Sequence, residues 1–415
     1  MQSRTFWSKV LGLKNTVVVS SRCEGEGAAA IVVIRVRPRR QAACRCSTCR
    51  RKCPRYDRGD GLRRWRTLDI HHRRAFLEAE APRVQCSHHG VVAAAVPWAR
   101  HDVGHTLTFD DHVAWLTAHT SKSAVSQLMR VAWSTVGAII ERVVADARAR
   151  SDPFQQLRRI GIDEVSYKRG QRYITTVLDH DTGRVVWAAP GRDEHTLAKF
   201  FNLLGPQRCW QIALVSADAG PWINNAVTKY CPNAKLCMDP FHVVSWATDA
   251  LDEVRREVWN DARRRGQKAV ASEIKGARFA LWRNPADLSA REQAKLADIQ
   301  RSNGPLYRAY LLKEQLREVF HLPVDQALAL LDRWLAWARR CRLDPFVKLA
   351  KTIAGHRDAI AAALRHALSN ARLESANTKV RLLTRVAFGF HSASALVSLV
   401  LLSLGGCCPA LPGRT

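Results

Sequence analysis

Three short apolar runs, each ending in an acid, constrain this chain more than any other feature. They are Arg159-Ile-Gly-Ile-Asp163, Ile212-Ala-Leu-Val-Ser-Ala-Asp218 and Ala234-Lys-Leu-Cys-Met-Asp239. Each has strand length and strand composition. A polar hairpin pattern follows the first, with a turn at Asp181-Thr182-Gly183. The predicted order is strand (157–163), strand (172–179), strand (184–188), helix (194–204), strand (211–217), helix (221–230) and strand (234–238). Strands that alternate with helices build an α/β sheet. Ligands in such sheets collect at the carboxyl ends of parallel strands. A single Asp at a strand end is as often a turn residue or a helix cap. The repetition carries the argument.

Charge narrows the partner. Lys and Arg number 65 against 37 Asp and Glu, a formal net charge of +28, with a pI near 10.3. Such an excess draws polyanions, nucleic acid above all. The 415 residues allow two to four domains, and 47% apolar content makes the chain globular. No clean signal-peptide pattern opens the sequence. Its longest apolar run, Ala395 to Leu404, is broken by Ser and falls short of a membrane span. A soluble, reduced, cytoplasmic protein without a membrane partner is expected.

Twelve cysteines are present, and four of them cluster at Cys44, Cys46, Cys49 and Cys53. Cys46-x2-Cys49 makes a tight turn that aims two thiolates at one ion. Cys86 with His89 offers the second pair of a tetrahedral zinc site. Cys44 and Cys53 leave the first pair open, and His88 leaves the last ligand open. The pattern suits a zinc-ribbon-like domain over 41–100 with a hairpin between its knuckles. Its Zn²⁺ would be structural. Residues 1–40 contain a strand pattern, Ala28 to Val36, that runs into Arg37-Pro-Arg-Arg40. They are expected as an N-terminal arm without chemistry.

Residues 105–150 have the rhythm of a helix-turn-helix. Thr108, with Asp110 and Asp111, starts the first helix, and Ser134 caps a later one. Ala124, Leu128 and Val131 are expected to pack inward, as are Val136, Ile139, Ile140 and Val143. A plain helical hairpin has the same pattern. With this basic charge, the later helix can enter a DNA major groove. Residues 246–358 read as charged helices whose Trp246, Trp259, Trp282, Trp334 and Trp337 pack a core. Residues 359–405 are again helical, and 406–415 form a tail.

The acids suggest phosphoryl transfer. Two Mg²⁺ ions about 3.5–4 Å apart can activate a hydroxyl and stabilise a leaving oxygen. Neighbouring strands lie about 4.8 Å apart, so Asp163 and Asp218 can touch one ion. Glu374, on a late helix, can supply a third carboxylate. Asn370, Asn377, Thr378 and Arg381 share its face, while Leu373, Ala376, Val380, Leu383 and Val386 form the apolar face. Lys379 and Arg381 are candidate phosphate contacts. Glu164 is expected on the opposite side of its strand. Asp239 rivals Asp218 for the second position. His242 can orient Asp239 or meet the scissile phosphate, and the pair can equally be a helix start.

Ile160-Gly-Ile-Asp-Glu, Val215-Ser-Ala-Asp, Asp239-Pro-Phe-His, Ser369-Asn-Ala-Arg-Leu-Glu-Ser-Ala-Asn-Thr-Lys-Val-Arg and Ala387-Phe-Gly-Phe390 closely resemble the ISL-three family of bacterial insertion-sequence transposases. The resemblance runs from Cys46 to Leu404 in order. It implies an α/β ribonuclease H-like DDE core (157–245 and 359–405) interrupted by an all-helical insertion (246–358). A small zinc ribbon and a helix-turn-helix precede the core. It places the triad at Asp163, Asp218 and Glu374, with Mg²⁺ or Mn²⁺ as cofactor. It also matches Asp239 and His242 to a Cys/Asp-x2-His signature. The implied activity is binding of double-stranded DNA at terminal inverted repeats, metal-dependent cleavage, and strand transfer into target DNA on the bacterial nucleoid. Synapsis of two ends implies a homo-oligomer. The alternative is a non-catalytic zinc-ribbon and helix-turn-helix regulator derived from a transposase. Such a regulator has no reason to keep all three acids.

Overall fold

The computed structural model describes residues 2–411 except 169, 219, 369, 388 and 391. The chain divides into two compact units, residues 1–151 with 398–415, and residues 152–397.

In the first unit the N-terminal stretch is not an arm. After helix α1 (Gln2–Leu11), strands β1 (Thr16–Glu24) and β2 (Ile31–Pro38) form an antiparallel pair. Strand β3 (Arg55–Asp57) follows, then the hairpin β4 (Leu62–Ile70) and β5 (Arg73–Glu80). This is the hairpin expected between the knuckles, but β5 also pairs in parallel with β2. The result is a four-stranded sheet in the order β1-β2-β5-β4. The physical reason lies in β2, where Val32, Val33, Ile34 and Val36 are all buried. A run apolar on both faces needs cover on both. Trp65 and Trp98 pack edge to face in the core beneath it, 5.6 Å apart. Strands β6 (Arg83–Cys86) and β7 (Gly90–Ala93) complete a separate three-stranded sheet, β3-β6-β7.

Three helices follow, α2 (Leu107–His119), α3 (Lys122–Met129) and α4 (Trp133–Arg150). Their limits correct the sequence reading. Thr106, not Thr108, caps α2, because its Oγ1 accepts the Phe109 N–H at 3.2 Å. Ser134 lies inside α4, whose cap position is Ala132. On the two-turn α3 only Val125 is buried. Ala124 and Leu128 are exposed, Leu128 by 64%. So short a helix docks along one row of side chains, and that row is one residue off the expected one. Val136, Ile139, Ile140 and Val143 are buried as anticipated.

The second unit is built on strands β8 (Arg159–Lys168), β9 (Arg172–Asp179), β10 (Val185–Pro190), β11 (Leu214–Ala217) and β12 (Lys235–Met238). Their order is β10-β9-β8-β11-β12. The first three are antiparallel neighbours, and β11 runs parallel to both β8 and β12. Helices α5 (Glu194–Leu204), α6 (Pro206–Cys209) and α7 (Pro221–Tyr230) connect them. Asp193 caps α5, accepting the Thr196 N–H at 2.7 Å.

Strand β8 does not give out at Asp163, as the apolar run suggested. It continues to Lys168 because β9 pairs with it throughout, Lys168 opposite Arg172. On its other side the pairing ends at Ile162–Ala217. Asp163 is thus mid-strand on one edge and the first residue past the partner on the other.

From Pro240 the chain is helical, and α8 (Pro240–Arg264) crosses the boundary expected at 245. Helices α9 (Lys268–Gly276), α10 (Arg278–Trp282), α11 (Ala290–Ser302), α12 (Gly304–Glu318), α13 (Val324–Ala338) and α14 (Asp344–Gly355) build their own core around buried Trp334. Trp246, Trp259, Trp282 and Trp337 pack against that core. The Trp334 indole N–H donates to the Leu312 carbonyl at 2.8 Å. Helix α15 (Arg357–His366) then covers β12, and α16 (Ala371–Val386) lies against β8. Helix α17 (Ala393–Leu404) is the last helix among the described residues, and from residue 398 it belongs to the first unit. Among the described residues, no helix is long and apolar enough to cross a membrane.

Candidate active site

Gly161 fixes how closely α16 approaches β8. A Cβ there would meet Leu373 Cδ1 and His180 Nε2 at 2.9 Å each, and Ser216 Oγ at 3.2 Å. Bare backbone lets Leu373, on the buried face of α16, settle onto the strand two residues before Asp163. Arg372 anchors the same turn by donating to the His180 carbonyl. Leu373, Ala376, Asn377 and Val380 are buried, whereas Val386, expected on the apolar face, is 42% exposed. Glu374, Thr378, Lys379 and Arg381 are exposed.

Asp163 is held from both sides. Its Oδ1 accepts the Glu164 N–H at 2.7 Å, and its Oδ2 accepts from Asn377 Nδ2. Burial, then the charge of Asp218, pushes its carboxyl up to about 7. Asp163, Glu164 and Asp218 each bring a carboxylate oxygen within 4.8 Å of the others. This corrects the expectation that Glu164 points away. Strand β11 has ended beside it, so the longer side chain can fold around the open edge, where Arg192 Nε meets it at 3.2 Å. Burial raises the Glu164 pKa as well. Glu374 is on the helix that reaches Asp163 but is not a member of this group.

Asp218 belongs to a second group with Asp239 and His242. His242 Nδ1 lies 3.0 Å from Asp218 Oδ1 and 3.0 Å from Asp239 Oδ2. One ring N–H cannot serve both. Asp239 takes the aligned hydrogen bond, and Asp218 Oδ1 is buried against the same ring nitrogen as its ion-pair partner. The bonds to Asp218 and Asp239 raise His242 to about 10, so the ring carries a proton at neutral pH. Asp239 also caps α8, accepting the Phe241 N–H at 3.4 Å. The helix-start and orienting readings of this pair both hold. Asp218, not Asp239, shares a group with Asp163.

Three carboxylates gathered this closely, one of them raised toward neutrality by burial and a neighbouring charge, are a donor set whose repulsion a divalent cation would offset. These residues therefore fit a divalent ion. Sequence reasoning missed Glu164 because strand alternation assigns faces without regard to where a neighbour ends. It missed Arg372 and His180 because no local pattern marks them.

The first unit holds a different group. Cys46, Cys49, Cys86 and His89 gather their ligand atoms within 4.8 Å of one another. Cys46 Sγ to His89 Nδ1 is 3.7 Å, Cys49 Sγ to Cys86 Sγ 3.7 Å, and Cys86 Sγ to His89 Nδ1 3.5 Å. Ligands about 2.3 Å (S) and 2.0 Å (N) from a tetrahedral ion give edges of about 3.5–3.8 Å. Backbone N–H donation at His88, then the His89 ring, lowers the Cys86 thiol to about 5. Cys44 and Cys53 lie outside the group. Cys53 donates to the Arg51 carbonyl at 3.3 Å, and its N–H to the Cys44 carbonyl at 2.8 Å. His88 turns to Arg51.

Comparison with known proteins agrees with this order of parts. A family model described as a zinc finger of transposases IS204/IS1001/IS1096/IS1165 matches residues 42–89. A helix-turn-helix domain of transposase family ISL3 matches 94–144. A DDE transposase model of the same family matches 160–400. The class is thus a DNA transposase, an enzyme rather than a non-catalytic regulator. A transposase for insertion sequence element IS1557 from Mycobacterium tuberculosis (strain H37Rv) is 54% identical over 436 aligned residues, covering 100% of this chain and 98% of the relative. A transposase for IS1001 from Bordetella parapertussis is 25% identical over 349 residues, 83% of this chain and 85% of the relative. The chain belongs to the ISL3 family of insertion-sequence transposases.

Proposed function

We propose that this transposase binds the terminal inverted repeats of its own element and performs metal-dependent cleavage and strand transfer through Asp163, Asp218 and Glu374. The five-stranded sheet with α16 supports a ribonuclease H-like core, and 246–358 is its helical insertion. Mg²⁺ or Mn²⁺ would be held by Asp163 and Asp218, with Glu374 from α16. When bound, the ions lower the pKa of the attacking hydroxyl and stabilise the leaving oxygen.

The chain's own residues prepare that chemistry. Asn377 and the Glu164 N–H fix the Asp163 carboxylate. His242 sets its positive charge between Asp218 and Asp239, which holds two like charges at one place. Arg192 offsets Glu164. Lys379 and Arg381, exposed along α16, meet backbone phosphates. Cys46, Cys49, Cys86 and His89 hold structural Zn²⁺. Helices α2 to α4 read duplex DNA, a homo-oligomer brings two ends together, and the reaction takes place on the nucleoid in the bacterial cytoplasm.

The observation that carries this reading is the convergence of Asp163, Glu164 and Asp218, each with a carboxylate oxygen within 4.8 Å of the others. Glu374→Gln tests it. That variant should bind an end-repeat duplex like the parent and lose strand transfer in Mg²⁺ and Mn²⁺. Undiminished transfer removes Glu374 from the triad. Binding of the parent should fall steeply with salt, because Lys and Arg displace condensed counterions.

A further inference from the structure

Asn377 is deeply buried at the site, 3% exposed. One end of its amide is used and the other is not. Nδ2 donates to Asp163 Oδ2, while Oδ1 is buried with no hydrogen-bond partner. With Asp163 ionised, as it must be to hold a cation, an amide oxygen facing its Oδ2 would set two acceptors against each other, so Nδ2 is the end that faces it. Leaving a buried acceptor unmatched is destabilising. One carbon separates the two ends of the amide, so this oxygen lies beside the carboxylate that Nδ2 touches. Asp163 is grouped there with Glu164 and Asp218. The Asn377 oxygen is thus an acceptor without a donor at a place already crowded with negative charge.

We propose that Asn377 Oδ1 is an oxygen ligand of the divalent ion held at Asp163 and Asp218. The inference rests on the reading that those two acids bind such an ion. Neutral amide oxygens suit Mg²⁺ and Mn²⁺ as ligands, and a neutral ligand adds no repulsion to the three acids. Helix α16 then supplies two groups on one face, the amide at 377 and the carboxylate at 374. Loading the ion and docking the helix become one event, since Asn377 is what joins α16 to Asp163.

The test is metal binding by the full chain, zinc-loaded and without DNA. Mn²⁺ is followed by electron paramagnetic resonance and Mg²⁺ by its competition with Mn²⁺. Asn377→Ala should weaken Mn²⁺ binding by about 10–100-fold, the usual scale for a group that supports an ion. Asn377→Cys should lose Mg²⁺ more than Mn²⁺, shifting the ratio of affinities by about tenfold, because the harder ion tolerates sulfur less. A residue that only packs would change both ions equally. Mn²⁺ affinity within twofold of the parent in Asn377→Ala, or an unchanged ratio in Asn377→Cys, overturns the proposal. If the Ala variant fails to fold, the ratio in the Cys variant decides. Asp163→Ala separates the two levels. If it binds Mn²⁺ like the parent, the underlying site reading falls. If it loses Mn²⁺ while Asn377→Ala does not, only the present inference falls.

Discussion

The cysteine group of the first unit and the acid group of the second differ in how complete they are. Cys46, Cys49, Cys86 and His89 already stand at tetrahedral spacing. Two tight turns bring them there, and the members of each pair are three residues apart in sequence. Asp163, Glu164 and Asp218 converge too, but Asp163 is pushed up to about 7 and Glu374 stands outside the group. A closed site holds an ion for stability, whereas an open one leaves room for substrate and stores repulsion that the ion relieves. On the proposed function, the contrast is that between a structural and a catalytic metal centre.

Exchanging one ligand in each group should break the comparison in opposite ways. Asp163→Asn should lower strand transfer by roughly a thousandfold, about 4 kcal/mol of transition-state stabilisation. End binding and thermal unfolding should stay near the parent, checked by gel shift and circular dichroism. An equal loss of folding would mean that the acids are a structural group like the cysteines. Cys49→Ser should release the bound zinc, measured by mass spectrometry, and lower the melting temperature of the first unit. Zinc sites contribute folding free energy directly. Cys53→Ser, altered outside the group, should retain zinc.

Smaller effects sharpen the contrast within the second unit. Gly161→Ala should destabilise by about 1–3 kcal/mol, the usual cost of overpacking, read from the denaturant midpoint. Its added Cβ meets Leu373 and His180 at 2.9 Å, so the docking of α16 loosens before the sheet does. An unchanged midpoint would show that α16 does not rest on β8 as described. An effect confined to acid pH comes last. Burial, then the charges of Arg159 and Arg372, lowers His180 to about 4, and its Nε2 lies 2.7 Å from Ser216 Oγ. The unfolded chain then binds a proton below about 6.5 that the folded chain refuses. Stability should therefore fall as pH drops from about 6.5 toward 4. His180→Asn should flatten that slope in unfolding curves taken across the window.

The sequence carried the element order of the second unit well. The strand over 172–179 and the helices over 194–204 and 221–230 appear with those limits, since period and turn residues act locally. It did less well in the first unit. Whether Thr106 or Thr108 caps α2 depends on which hydroxyl reaches an amide three residues on. Whether Leu128 is buried depends on which row of α3 meets its neighbours.

What the sequence alone determined is chemical type and order: two cysteine and histidine pairs at knuckle spacing, then acids after apolar runs, then a helix with an acid and two amides on one face. Spacing within a turn, a strand or a helix is fixed by backbone geometry, so it can be read directly. What only the tertiary structure decided is which side chains share a point in space. Glu164 joins Asp163 because β11 ends at Ala217. Asn377 reaches Asp163, 214 residues earlier in the chain, because Gly161 lets α16 come close. Those contacts depend on where a neighbouring strand stops and how near a helix can approach, and no local pattern records either.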